Sequence, residues 1–247
     1  MVPLRDENPV KITPYVTYGL IAVNLVVFFI EMVVSASSPT ALESLFYQWA
    51  VVPKQLTISF IRDFSVDSLL EWGTLISAQF LHAGFFHVAG NMLYLWVFGN
   101  NVEEEMGRVR FLIFYLGCGV LATLAQWFFA PDSTIPSLGA SGAIAGVMGA
   151  YIFRYPKVRI LTFIPFGFLF LTPRIPAYLF LGIWFLQQAA YGVASLGVST
   201  NVGMESGGIA YWAHAGGFVF GAALGPLFGL FDRAGEGDRP AEIESNQ

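Results

Sequence analysis

What most limits this chain is a series of apolar runs, several of them long enough to cross a bilayer, in a sequence short of charge. A span needs about 20 predominantly apolar residues. Of the 247 residues, 55% are hydrophobic and 12% are charged, where soluble domains carry roughly 25% charged residues. This is the make-up of a polytopic, all-α membrane protein, and the length suits one compact bundle. No fixed-period repeat and no second soluble domain stand out.

Applied along the chain, the span rule places a first helix near 16–36, a second near 84–103, a third near 109–130 and a fourth near 141–155. A fifth falls near 176–195 and a sixth near 209–231. We expect three parts: an N-terminal segment 1–15, a membrane domain 16–231 and a polar tail 232–247. The first fifteen residues are polar and mixed, and the run after them lacks a small-residue cleavage site, so it reads as a retained span. Residues 37–78 form a long mixed segment whose aromatics, among them Trp49 and Trp72, suit an interfacial seat. The short apolar stretch 160–172 is interrupted by Pro165 and Gly167, and reads as a membrane-dipping hairpin.

Charge supports six spans. With a cytoplasmic start, Arg5, Lys11, Arg108, Arg110, Arg154, Lys157, Arg159, Arg174, Arg233 and Arg239 fall inside. Only Lys54 and Arg62 fall outside. The positive-inside bias therefore predicts both termini in the cytoplasm. The compact chain fits a plasma membrane of a prokaryote better than an organelle.

Against this background, a few polar residues need a reason to be where they are. Ser141 opens the fourth span in Gly139-Ala140-Ser141-Gly142, and His214 sits about five residues into the sixth, or about 7 Å at the rise of a helix. An ionisable group inside a membrane span is a functional hypothesis by default. A hydroxyl that meets an imidazole suggests a nucleophile with its general base. The bland readings are a serine N-cap and an interhelical hydrogen bond. His87 and Asn91 are four apart, so they share a helix face and offer two donors to one point, as an oxyanion hole requires. A polar patch joining helices is the plainer account of that pair. The second, fourth and sixth spans enter from the same side, which puts all four residues in one layer.

Gly217, Gly221 and Gly225 recur every four residues in the sixth span, opposite a small face at Gly142, Gly146 and Gly149 in the fourth. Such stripes let helices approach closely, which would bring Ser141 and His214 together. Glu103 to Glu105 and Arg108 read as a solvated helix end. Glu31 and Glu205 stand alone, so the reading is a dyad and not a triad. His82 reads as support for the loop before the second span.

Several classes are excluded or disfavoured. No basic footprint for nucleic acid is present. Cys118, the single cysteine, has no internal disulfide partner and reads as a packing residue. Three histidines without an HExxH pattern make a metal site improbable, and no organic cofactor is expected.

These residues resemble the rhomboid family of intramembrane serine proteases, over about 73–225. The carriers are Gly139-Ala140-Ser141-Gly142, matching the family's GxSG, then His214 with Gly217, then the run His82-Ala83-Gly84-Phe85-Phe86-His87-Val88-Ala89-Gly90-Asn91-Met92. Val102-Glu103 with Gly107 is also similar to the element after the family's second helix. The resemblance implies a six-transmembrane-helix bundle with a cavity open to the outside. It implies Ser141 as nucleophile, His214 as base and acid, and His87, Asn91 and the Ser141 backbone N–H as oxyanion donors. Substrates would be transmembrane proteins, entering beside the fifth helix and loop 196–208. Two departures stand out: Ala145 occupies a position where several members stack an aromatic on the histidine, and 37–78 lacks a Trp-Arg pair. The competing classes are a non-catalytic rhomboid-like protein that binds transmembrane clients, and a small transporter. A transporter predicts repeated halves with broken helices, and no such symmetry is visible.

Overall fold

The computed structural model describes residues 1–61, 65–166, 169–196 and 210–232. Arg62, Glu205, Arg233, Arg239, nearly all of loop 196–208 and the tail after 232 lie outside the described residues. Within them the chain is mostly helical: α1 (Tyr15–Ser37), α2 (Pro39–Trp49), α3 (Pro53–Ile61), α4 (Val66–Ser77), α5 (Phe85–Met106), α6 (Arg108–Phe129), α7 (Ser141–Arg154), α8 (Ala177–Ser195) and α9 (Tyr211–Leu224). Among the described residues, α1, α6 and α8 are the three helices long and apolar enough to cross a bilayer. The other three expected spans do not meet that measure, for identifiable reasons. α5 carries Asn91, Asn100, Asn101 and Glu103 to Glu105 in its sequence. α7 and α9 are 14 residues each, about 21 Å at 1.5 Å per residue, so each begins or ends inside the bundle. Pro226 follows α9 and turns it into a short 3₁₀ segment, Gly225–Phe228, since proline lacks the N–H that an α-helix needs.

The all-α expectation is corrected by a four-stranded antiparallel sheet. Its strands are β1 (Val2–Asp6), β2 (Arg159–Phe166), β3 (Leu169–Leu171) and β4 (Arg174–Pro176). The stretch read as a membrane-dipping hairpin is β2 and β3. The N-terminal segment does not stand apart but pairs with it, Val2 opposite Phe163 and Asp6 opposite Ile160. β4 pairs with β2 through Ile160 and Ile175, then leads straight into α8. Ile160 and Thr162 alternate inward and are fully buried, the period of two that a half-buried strand shows. Tyr151 on α7 donates its hydroxyl to Asp6 Oδ2 at 2.7 Å. Burial pushes the Asp6 carboxyl up to about 6, against the opposing pull of that bond.

The mixed segment 37–78 is helices α2 to α4, held to the bundle by Val51, Leu56, Leu75 and Ala78 with Trp72 and Trp127 around them. The acidic end of α5 is also corrected. Glu103 is fully buried, not solvated. It accepts hydrogen bonds from the N–H groups of Val16 and Thr17 and from the Thr17 hydroxyl. A carboxylate there satisfies orphan donors of the first turn of α1 and complements its dipole. Glu105 is nearly buried and pairs with Arg154 at 3.2 Å. Glu31 does not stand alone: it is buried in α1 and accepts from the His82 backbone N–H at 3.0 Å. His82 thereby ties the approach to α5 onto α1, the supporting role expected of it.

The centre of the bundle is α7, whose residues from Gly142 to Tyr151 are all buried. Its neighbours are α9, α6 and α5. The seam with α9 is built on glycine. A Cβ at Gly217 would collide with the Gly142 carbonyl oxygen, one at Gly221 with that of Gly146, and one at Gly149 with that of Phe218. Any larger residue would push the two backbones apart, so the small stripe sets the spacing of the helices that carry Ser141 and His214.

Candidate active site

Three helices begin in one layer, and each delivers a polar residue to it. Ser141 is the first residue of α7, with Ala140 in the N-cap position and no side-chain cap bond. Its hydroxyl is engaged elsewhere: Ser141 Oγ lies 2.7 Å from His214 Nε2. His214 is the fourth residue of α9. The structure therefore brings the two residues into hydrogen-bond contact from opposite sides of the glycine seam. The N-cap account of Ser141 does not describe its side chain.

His87 and Asn91 come from the first two turns of α5. Gly139, just before α7, has φ +120°, a region that glycine enters freely and other residues rarely do. Its N–H donates to the Ala78 carbonyl at 2.8 Å. The space where a Cβ would sit is filled by the His87 ring, with Cε1 and Nε2 at 2.8 Å, and by Asn91 Nδ2 at 3.6 Å. Glycine at this position thus lets both α5 side chains close over the entry to α7. His87 Nδ1 is the acceptor for the Ala83 N–H at 3.4 Å, which leaves the ring proton on Nε2. Asn91 Nδ2 is buried with no hydrogen-bond partner among the described residues. An unpaired buried donor costs free energy, and this one faces the Gly139 turn. Beside Ser141 lies a narrow cleft lined by small residues, including Gly119, Gly139, Gly142 and Ala213.

Two site residues carried no prediction. His214 Nδ1 lies 2.8 Å from Gln188 Oε1 on α8, and the Trp184 ring of the same helix packs beside the imidazole at a tilt, centroids 5.8 Å apart at 35°. Ala145, where an aromatic was missing from the pattern, is fully buried. The aromatic contact comes from α8 instead. The signal was present in the sequence: Gln187-Gln188 is a polar pair inside an otherwise apolar span. Among the described residues, no group of three or more His, Cys, Asp or Glu is placed to hold a metal ion.

The same stretch of chain stands out in comparison with known proteins. Residues 70–231 match the Rhomboid domain. The rhomboid protease GluP of Bacillus subtilis is 34% identical over 140 residues, covering 57% of this chain and 24% of that protein. The mitochondrial rhomboid protein 1 of Saccharomyces cerevisiae is 30% identical over 158 residues, 62% of this chain and 40% of that one. The mitochondrial presenilin-associated rhomboid-like protein of Bos taurus is 34% identical over 125 residues, 49% of this chain and 33% of that one. The matched region thus spans well under half of each relative. With the Rhomboid domain covering about two thirds of its length, this chain belongs to the rhomboid family.

Proposed function

We propose that this chain is an intramembrane serine endopeptidase that hydrolyses peptide bonds in or near transmembrane helices of other membrane proteins. The observation that carries the reading is the 2.7 Å contact between Ser141 Oγ and His214 Nε2. Membership of a family that includes intramembrane serine proteases supports it.

Ser141 Oγ attacks the scissile carbonyl carbon as His214 Nε2 takes its proton. The carbonyl oxygen, now negative, accepts hydrogen bonds from Asn91 Nδ2, His87 Nε2 and the Ser141 backbone N–H. Donors already in place stabilise that charge without reorganising. His214 returns the proton to the leaving amine, which departs with its half of the substrate helix. A water molecule then attacks the acyl-enzyme ester. His214 takes its proton and gives it back to Ser141 as the carboxylic product leaves. The chemistry needs no metal and no organic cofactor.

The proposed architecture has six spans, α1, α5, α6, α7, α8 and α9, within a membrane domain over 16–231. The short N-terminal segment and the tail from 232 lie in the cytoplasm. The membrane is the plasma membrane, and substrates approach beside α8.

The test is cleavage of a single-span model substrate in liposomes. Wild type cleaves it and Ser141→Ala does not, with the melting temperature unchanged. Cleavage by both proteins rejects Ser141 as nucleophile. A folded wild type that cleaves none of several substrates shifts the reading to a rhomboid-like protein that binds transmembrane clients.

A further inference from the structure

We infer that Gln188 is a positioning residue for His214, holding the imidazole in the tautomer that lets Nε2 act as a base, with Trp184 packed beside the ring. The inference rests on the proposed protease reading and goes beyond its dyad.

The argument begins with the two nitrogens of one ring. A neutral imidazole carries one proton, and the bond made by one nitrogen decides the state of the other. Nε2 faces Ser141 Oγ at 2.7 Å. To accept the serine proton it must be bare, so the ring proton must sit on Nδ1. Nδ1 faces Gln188 Oε1 at 2.8 Å, and an amide oxygen only accepts. With Gln188 Oε1 facing the ring, one arrangement satisfies both bonds: Nδ1–H donates to Gln188, and Ser141 O–H donates to Nε2.

Gln188 is itself buried, so water competes poorly for its amide. Serine hydrolases of other folds place a carboxylate at this position, where it orients the ring and stabilises the imidazolium. Among the described residues no carboxylate is hydrogen-bonded to His214. A neutral amide supplies the orientation without the charge. Among the described residues, the other groups that act on the ring are Ser141 from α7, Trp184 from α8 and the titratable His87 from α5.

The two supports sit four residues apart on α8, one turn, and so share a face. With Ala145 leaving the α7 side of the ring without an aromatic, the orientation of the base depends on a helix other than those that carry the dyad. A shift of α8 away from α9 removes both supports at once, which links the position of α8 to the basicity of Nε2.

The test has two arms. In the first, kcat, KM and their pH dependence are measured for wild type, Gln188→Leu and Gln188→Glu. Gln188→Leu leaves Nδ1–H buried without an acceptor, which favours the wrong tautomer. It should lower kcat by roughly tenfold to a hundredfold, the scale of one orphaned buried donor, with KM within about twofold. Gln188→Glu keeps the acceptor and adds a negative charge beside the imidazolium, which favours the charged ring. Its kcat should recover at high pH, and the acid limb of its profile should move to higher pH. Wild-type kcat in folded Gln188→Leu, or an unmoved profile in Gln188→Glu, overturns the inference.

The second arm needs no turnover and covers a leucine variant that fails to fold. The nitrogen resonances of ¹⁵N-histidine wild type, assigned against His214→Ala, report which ring nitrogen carries the proton. Protonation at Nδ1 supports the inference, and protonation at Nε2 overturns it. If wild type places the proton on Nδ1 yet cleaves nothing, the protease reading fails while the hydrogen bond stands. If wild type cleaves and the Gln188 variants match it, the positioning role alone fails.

Discussion

α9 presents His214 between two helices of opposite character. On one side α7 is buried from Gly142 to Tyr151 without a break, and its backbone meets that of α9 directly. On the other, α8 buries only Ala177, Phe180, Leu181, Gln188 and Gly192 of its 19 residues. It touches α9 through side chains: Phe185 stacks on Phe218 with centroids 4.9 Å apart, and Trp184 and Gln188 reach His214. Backbone contact leaves a helix pair one spacing, because there is no rotamer to adjust. Side-chain contact leaves it several. The distance between Ser141 and His214 is therefore set by the rigid neighbour, and the orientation of the imidazole by the adjustable one.

The harshest way to break this comparison is to wedge the rigid seam. Gly221→Leu sets a side chain against the Gly146 backbone and should cost about 3 kcal/mol, the upper end for overpacking, with loss of cleavage. Thermal unfolding in detergent measures it, and an unchanged melting temperature would mean the helices are not in backbone contact. The next effect in size falls on the α5 side of the same rigid unit. Asn91→Ala should slow turnover by roughly 100- to 1,000-fold, the range for removal of an oxyanion donor, and barely move the melting temperature. A wild-type rate would remove Asn91 from the oxyanion site.

A milder test addresses how α8 is held at its N-terminal end. β4 runs into α8, and the sheet is anchored to α7 through Asp6 and Tyr151. The Asp6 carboxyl, at about 6, lies above its ordinary value of 3.8. A raised acid binds its proton more tightly in the folded chain, so the contribution is full below about pH 4 and fades as pH rises through about 6. Hydrogen exchange of the β1 amides should slow as pH is lowered from 7 to 5, after correction for the intrinsic rate. Asp6→Asn should flatten that dependence, and a variant that retains it assigns the effect to another group. The smallest effect sharpens the contrast from the loose side. A Cβ at Gly182 on α8 has nothing within 4 Å, so Gly182→Ala should cause no loss, and removing a mid-helix glycine should add about 0.5–1 kcal/mol. A large loss there would show that α8 is packed as tightly as α7.

Much of the site could be read in advance because a membrane span makes polar residues conspicuous. Ser141, His214, His87 and Asn91 each interrupt an apolar run at a helix start, and the glycine stripes state which faces must touch. Gln188 was open to the same argument, since Gln187-Gln188 breaks the apolar pattern of α8. What was missing was a partner visible in the chain. The sheet was hidden for another reason. A short apolar run bounded by Pro and Gly does not distinguish strand from membrane-dipping loop, and the strand that pairs with 160–163 lies at residues 2–6. Glu103 read as solvated because it neighbours two other acids. Its burial depends on where the first turn of α1 arrives, more than 80 residues earlier in the chain.

The sequence by itself determined that this chain is a helical membrane protein of the rhomboid family, which small faces its helices share, and which polar residues interrupt its apolar runs. These follow from local pattern: the length of apolar runs, the spacing of glycines and the scarcity of polar groups where lipid cannot hydrate them. Only the tertiary structure decided that Ser141 meets His214 at 2.7 Å, that Gln188 holds the far side of that ring, and that residues 2–6 pair with 160–163 in a sheet. Those depend on contacts between residues far apart in the chain, whose geometry no local pattern encodes.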